Sequence, residues 1–152
     1  MRIILQRVKR ASVSVDGEIV STIGNGLLIL IGVEKGDTER EAKYLAKKIC
    51  DLRIFPDEHG KMNLSVKDVN GEVMIISQFT LASHIKKGNR PGFSNAAGEN
   101  LAISLYKLFV EEIKKQVKIV RTGIFGAYME VNLVNDGPVT FILEKFGGAE
   151  GI

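Results

Sequence analysis

The run Leu27-Leu28-Ile29-Leu30-Ile31, apolar at every position and bounded by Gly24-Asn25-Gly26 and Gly32, constrains this chain more than any other feature. An alternating strand turns one face to water, whereas a strand apolar on both faces must be covered on both. Its short length reads as a strand, because periodicity alone does not separate a buried strand from a piece of buried helix. Val73-Met74-Ile75-Ile76 has the same character and runs straight into Ser77-Gln78-Phe79-Thr80. The expectation is a sheet with central strands, and the rest of the chain has to supply their cover.

Two segments are periodic enough to do so. Thr38 followed by Glu41 forms a capping-box pattern, and Ala42, Leu45, Ala46 and Ile49 give one apolar stripe, which predicts a helix over 38–51. A second helix is predicted over 96–115, with Leu101, Leu105, Leu108 and Phe109 inward and Glu111, Glu112, Lys114 and Lys115 outward. Alternation around Asp16-Gly17 predicts a hairpin, since those residues tolerate the positive φ of a tight turn. Val117–Val120, Tyr128–Val134 and Val139–Leu143 read as strands, with Asn135-Asp136-Gly137-Pro138 a turn between the last two, and Asp57–Lys61 reads as another turn. The result is a mixed α/β fold. At 152 residues, with no internal repeat, it is expected to be one domain over 1–152 whose last few residues are a loose tail.

Composition removes whole classes of function. The longest apolar run is far short of the roughly 20 residues that span a bilayer, and no export signal opens the chain, so a cytoplasmic protein with no membrane partner is expected. Net charge is +3 from 21 basic and 18 acidic residues, enough to permit an anionic partner and too little for DNA wrapping. Cys50 is the only cysteine and sits near the stripe of the first helix, which favours an inert buried thiol. His59 and His84 are the only histidines, so no dedicated metal site and no cofactor are expected. The glycine-rich segments match neither the phosphate-loop nor the dinucleotide fingerprint.

Three places remain where chemistry fits. Ser77-Gln78-Phe79-Thr80-Leu81 puts two hydroxyls and an amide at the end of a buried strand, as a site or as a simple cap. Thr80 and His84 do not make a triad, because no third orienting group is identifiable. Gly137-Pro138 interrupts a strand-rich stretch, as a turn or as a cis bond that fixes carbonyls in one orientation. Lys86, Lys87 and Arg90 lie in a loop bounded by glycine and proline, either solvated or supplied for phosphate contacts.

Ser77-Gln78-Phe79-Thr80-Leu81 and Asn135-Asp136-Gly137-Pro138-Val139-Thr140 together resemble the two signatures of the D-aminoacyl-tRNA deacylase family, formerly D-tyrosyl-tRNA deacylases. Gln6-Arg7-Val8, Leu52-Arg53-Ile54-Phe55, Gly60-Lys61-Met62-Asn63, Arg90-Pro91 and Phe125-Gly126-Ala127 extend the likeness along the chain. Tyr128 departs from it, since an Asp or a small or polar residue is expected there, and Gly147–Ile152 follows no family pattern.

The resemblance implies layered, barrel-like sheets with two main helices on one side. It implies a homodimer that hydrolyses D-aminoacyl-tRNA, and glycyl-tRNA as well, with Ser77, Gln78, Phe79 and Thr80 catalytic. Gly137 and Pro138, joined by a cis bond, would reach into the partner's site and reject L-substrates; no DNA partner is implied. Lys86, Lys87 and Arg90 would meet tRNA phosphates, Arg7 would brace the Gly-Pro element, and Phe125 and Met129 would line the adenosine or aminoacyl pocket. Attack by water, assisted by the substrate's 2′-hydroxyl and a backbone oxyanion hole, suits a chain lacking a histidine base. A non-catalytic binder of D-aminoacyl-tRNA or RNA ends, and a general esterase or peptidase for small D-amino-acid substrates, are the competing readings.

Overall fold

The computed structural model describes residues 1–147, so the tail expected at the C-terminus lies for the most part outside the described residues. The strands are β1 (Arg2–Val15), β2 (Glu18–Ile23), β3 (Gly26–Gly32), β4 (Phe55–Pro56), β5 (Met62–Leu64), β6 (Glu72–Ser77), β7 (Val120–Thr122) and β8 (Glu130–Glu144). The helices are α1 (Glu39–Asp51) and α2 (Glu99–Lys114), and Phe79–Ala82 forms a short 3-10 turn. The main sheet runs β2-β1-β3-β6-β7, with β8 antiparallel to β1 on its other edge. The sheet curls until the Ser21 hydroxyl of β2 donates to the Thr122 carbonyl of β7, which leaves an almost closed barrel.

The apolar run of β3 behaves as its composition demands. Leu27, Ile29 and Ile31 pack with Ala42, Leu45, Ile49, Leu105, Phe109 and Ile113 of the two helices. Leu28 turns the other way and joins Val8, Val13, Met74 and Ile76 inside the curled sheet, with Leu30 against them. One strand thus serves two cores, and both helices cover the same outer face. Asp16 and Gly17 both take positive φ, 51° and 81°, as a two-residue hairpin turn requires. Thr38 closes its capping box with Glu41: the Glu41 carboxylate accepts from the Thr38 amide at 2.7 Å, and the Thr38 hydroxyl oxygen accepts from Arg40 N–H. Among the described residues no helix is long and apolar enough to cross a membrane.

Three expectations need correction. α2 begins at Glu99 because the preceding residues are tied to the end of β3, with Lys35 N–H donating to the Asn95 carbonyl and Ala97 N–H to that of Val33. Leu101 is exposed, and the buried face of α2 is Leu105, Tyr106, Phe109, Val110 and Ile113. The third concerns Asn135–Pro138, which does not reverse the chain. Both halves of β8 run antiparallel to β1, with Gln6 opposite Thr140 and Val8 opposite Asn135, so Asp136–Val139 bulge out facing Arg7 alone. A proline that cannot donate to a ladder is tolerated at such an excursion.

Candidate active site

β3, β6 and β7 are parallel, and their carboxyl ends open on one side of the sheet. The crevice beyond the carboxyl ends of parallel strands is where ligands bind in sheets of this kind. A cavity of about 550 Å³ lies there, walled by Ile31 and Val33 at the end of β3, by Ser77, Gln78 and Phe79 at the end of β6, and by Phe125 and Met129 past β7. Ala97, Glu99, Ala102 and Tyr106 at the start of α2 close its side.

Beyond Ser77 the chain keeps the ladder for one more bond, Gln78 N–H to the Ile31 carbonyl at 2.8 Å, then tightens into the 3-10 turn. That turn lies so close to β3 that a Cβ on Gly32 would sit 2.9 Å from both the Gln78 oxygen and the Leu81 Cβ. Any larger residue at position 32 would push the turn off the strand end. The turn's own bonds begin with Leu81 N–H to the Gln78 carbonyl, so the Phe79 and Thr80 amides precede its first bond and have no acceptor within it. The Thr80 hydroxyl accepts a hydrogen bond from the Gln78 side chain, and Thr80 is exposed and is not among the residues that line the cavity.

The deeper wall is rigid. The buried Tyr106 hydroxyl donates to the Ile75 carbonyl at 2.9 Å, burial pushes it up to about 12, and its ring tilts against Phe125 at 5.6 Å. Phe79 packs against Phe93 at the rim, the rings tilted 56° with centroids 5.2 Å apart. The next loop is pinched shut by paired backbone bonds between His84 and Gly92, and Lys86, Lys87 and Arg90 are exposed on it. Cys50 is buried in the helical core, where burial pushes its thiol up to about 11. Among the described residues no three His, Cys, Asp or Glu side chains converge as a ligand set.

The second motif lies elsewhere. Gly137 and Pro138, joined by a cis bond, stand exposed at the tip of the β8 excursion and do not line the cavity of their own chain. The base of the excursion is clamped. Arg7, 9% exposed, donates from Nε to the Asp136 carbonyl at 3.1 Å and from its terminal nitrogen to the Ile54 carbonyl at 2.7 Å. Asn135 accepts from Val139 N–H at 2.7 Å and donates to the Thr140 hydroxyl at 2.9 Å. Gly137 has φ of +140°, and a Cβ there would meet Val139 Cγ2 at 2.5 Å. Among the sequence candidates, the fold therefore gathers Ser77, Gln78, Phe79, Phe125 and Met129 around one cavity and separates them from Gly137 and Pro138. Glu99, Tyr106 and Phe93 were missed. Glu99, Ala102 and Tyr106 share one helix face by spacing, but no local signal shows that this face meets the strand ends.

The sequence pattern of the family described as D-Tyr-tRNA(Tyr) deacylase matches residues 4–144. The chain belongs to that family. Membership makes it an enzyme of the deacylase type. Among its relatives in the family are the D-aminoacyl-tRNA deacylases of Bacillus cytotoxicus, 58% identical over 95% of this chain and 99% of the relative, and of Dictyoglomus turgidum, 55% identical over 95% and 92%. Of solved structures, the c-Myc DNA Unwinding Element Binding Protein superposes with a TM-score of 0.90 at 43% identity, covering 95% of this chain and 99% of that one. A probable eukaryotic D-amino acid tRNA deacylase shares the fold at a TM-score of 0.81 and 15% identity, covering 93% and 97%.

Proposed function

We propose that this deacylase-family chain hydrolyses the ester between a D-amino acid and the terminal ribose of tRNA, releasing free D-amino acid and tRNA, and that glycyl-tRNA is a second substrate. The observation that carries the reading is a cavity at the carboxyl ends of parallel strands that is lined by Phe79, at a turn whose Phe79 and Thr80 amides precede its first bond. These amides are suited to hold the oxyanion that forms when water adds to the ester carbonyl. The bond from that carbon to the ribose oxygen then breaks, and the proton that water gives up ends on the ribose oxygen. The adjacent 2′-hydroxyl orients the water, so the route draws on no histidine base, metal or cofactor. Phe125 and Met129 pack against the adenosine, and Lys86, Lys87 and Arg90 meet phosphates of the acceptor end.

Chirality requires a second copy. The enzyme works as a homodimer, in which the exposed Gly137-Pro138 tip of one subunit enters the cavity of the other. Three features support this reading: the tip is absent from its own chain's cavity, the outer edge of β8 pairs with no strand among the described residues, and Ile142 on it is 72% exposed. Carbonyls of the clamped excursion hold the substrate ammonium and leave no volume for a side chain on the L side. Glycine has no side chain to clash and passes the same filter. The setting is the cytoplasm, where tRNA is charged.

Hydrolysis of matched D-tyrosyl-, L-tyrosyl- and glycyl-tRNA, with EDTA present and free D-tyrosine ester as control, tests the reading. Loss of the D and glycyl forms with the L form intact is the expected result. Retention of D-aminoacyl-tRNA without cleavage would make the chain a binding module. Equal cleavage of the free ester would mean that the tRNA contributes nothing to the transition state.

A further inference from the structure

The cavity and its rim differ in what they can hold. A volume of about 550 Å³ falls in the range that encloses one small ligand, so the terminal aminoacyl-nucleoside fits inside and any preceding nucleotide must lie on the rim. The rim carries Tyr128, the most exposed large apolar side chain among the described residues at 91%. Its exposure does not come from a loose loop. Ala127 N–H donates to the Ile124 carbonyl at 3.1 Å, Gly126 takes φ of +78°, and Phe125, Ala127 and Met129 alternate inward while Tyr128 alternates outward. Phe79, also on the rim, is 61% exposed, and Phe93, tilted against it, is 42% exposed. Lys86, Lys87 and Arg90 stand on the adjoining loop with no carboxylate within ion-pair distance among the described residues.

Exposed ring faces beside unpaired cations are the chemistry of single-stranded nucleic acid, whose bases stack on the rings while its phosphates meet the cations. Three cations with no carboxylate partner among the described residues call for an anionic occupant, which the phosphates of a nucleic acid supply. Resting on the hydrolysis proposed above, we infer that Tyr128, together with the Phe79–Phe93 pair, forms a stacking platform for the unpaired bases that precede the terminal adenosine of the acceptor end. Tyr128 is then a binding residue acting through KM, away from the reacting ester.

The test compares D-tyrosyl-adenosine with D-tyrosyl esters of the trinucleotide CCA and of whole tRNA. For the wild type, kcat/KM should rise from nucleoside to trinucleotide. In Tyr128→Ala that rise should shrink by about five- to a hundredfold, carried by KM, as loss of one stacked base predicts; Tyr128→Phe should keep it. An unchanged rise in Tyr128→Ala, or an equal loss in Tyr128→Phe, overturns the platform. So does conversion of Tyr128→Ala to a smaller species by light scattering, which would make the ring a contact between copies. If the wild type cleaves none of the three esters, it is the hydrolysis reading that fails. The platform is then judged by the Kd for uncharged CCA RNA, where equal affinity of wild type and Tyr128→Ala overturns it.

Discussion

The two signature segments handle their polar groups in opposite ways. At Ser77–Thr80 the backbone is left open: the Phe79 and Thr80 amides precede the first bond of the 3-10 turn, and the turn borders a cavity. At Asn135–Thr140 the chain is closed on itself by Asn135, Thr140 and the buried Arg7, and the Gly137-Pro138 tip stands exposed. Open donors can exchange water for a substrate oxyanion as charge develops. A clamped excursion can exchange nothing, and in the proposed function it acts through shape. The proposed function gives catalysis to the open segment and chiral selection to the clamped one, in keeping with these different mechanical properties, and the proposed dimer is what would bring them together.

The comparison breaks most visibly at Arg7. Arg7→Ala removes the donor from the buried Ile54 carbonyl and the part-buried Asp136 carbonyl, at a cost of about 2–4 kcal/mol. Urea unfolding should show that loss, and the ratio of D- to L-tyrosyl-tRNA hydrolysis should fall with it. A destabilised variant that keeps full chiral discrimination would mean that the clamp serves stability alone. Gly137→Ala is the narrower cut. It leaves the clamp and forces a Cβ into Val139 at a backbone angle that L-residues rarely adopt, a strain of about 1–3 kcal/mol. The tip should shift, and discrimination should drop more than stability does.

These substitutions also mark what the sequence could and could not tell. The capping box of α1, the hairpin at Asp16-Gly17 and the doubly covered β3 were legible because each rests on residues adjacent in the chain. The shape of the β8 excursion was not legible. Asn135-Asp136-Gly137-Pro138 has the composition of a reversing turn, and only the pairing of both flanks with β1 shows that the direction is kept. The strand-end polar motif was visible, but its wall from α2 was not, because Glu99 and Tyr106 reach the cavity through the packing of α2 near β7 rather than through a local pattern.

A control on the helical side sharpens the contrast. Thr38→Ala removes a side-chain cap far along the chain from both motifs and should cost about 1 kcal/mol with the D to L ratio unchanged. Burial opposes ionisation of Glu41, but hydrogen bonds from the Thr38 hydroxyl and amide outweigh it and hold the carboxyl below its ordinary value. A lowered folded value stabilises above the unfolded carboxylate pKa, about 4.3, and that stabilisation is lost as pH falls through the folded one. The gap between wild type and Thr38→Ala should therefore be widest above that pH and narrow below it. It should not vanish, since the bond from Arg40 N–H to the hydroxyl does not titrate. A gap of constant width would show that the bond from the Thr38 hydroxyl does not act through the Glu41 charge.

The smallest effect is expected where a side chain looks most like a nucleophile. Thr80 offers a hydroxyl in the open segment, yet that hydroxyl accepts a hydrogen bond from Gln78, and Thr80 is exposed and is not among the residues that line the cavity. Its amide, which any residue but proline supplies, is the group assigned to the oxyanion. Thr80→Ala keeps the amide and should hold D-tyrosyl-tRNA turnover within a few-fold of wild type, whereas loss of a covalent nucleophile costs orders of magnitude. Single-turnover kinetics on the two proteins decide it: a collapse of the chemical step in Thr80→Ala would move the function of the open segment from its backbone to its side chain.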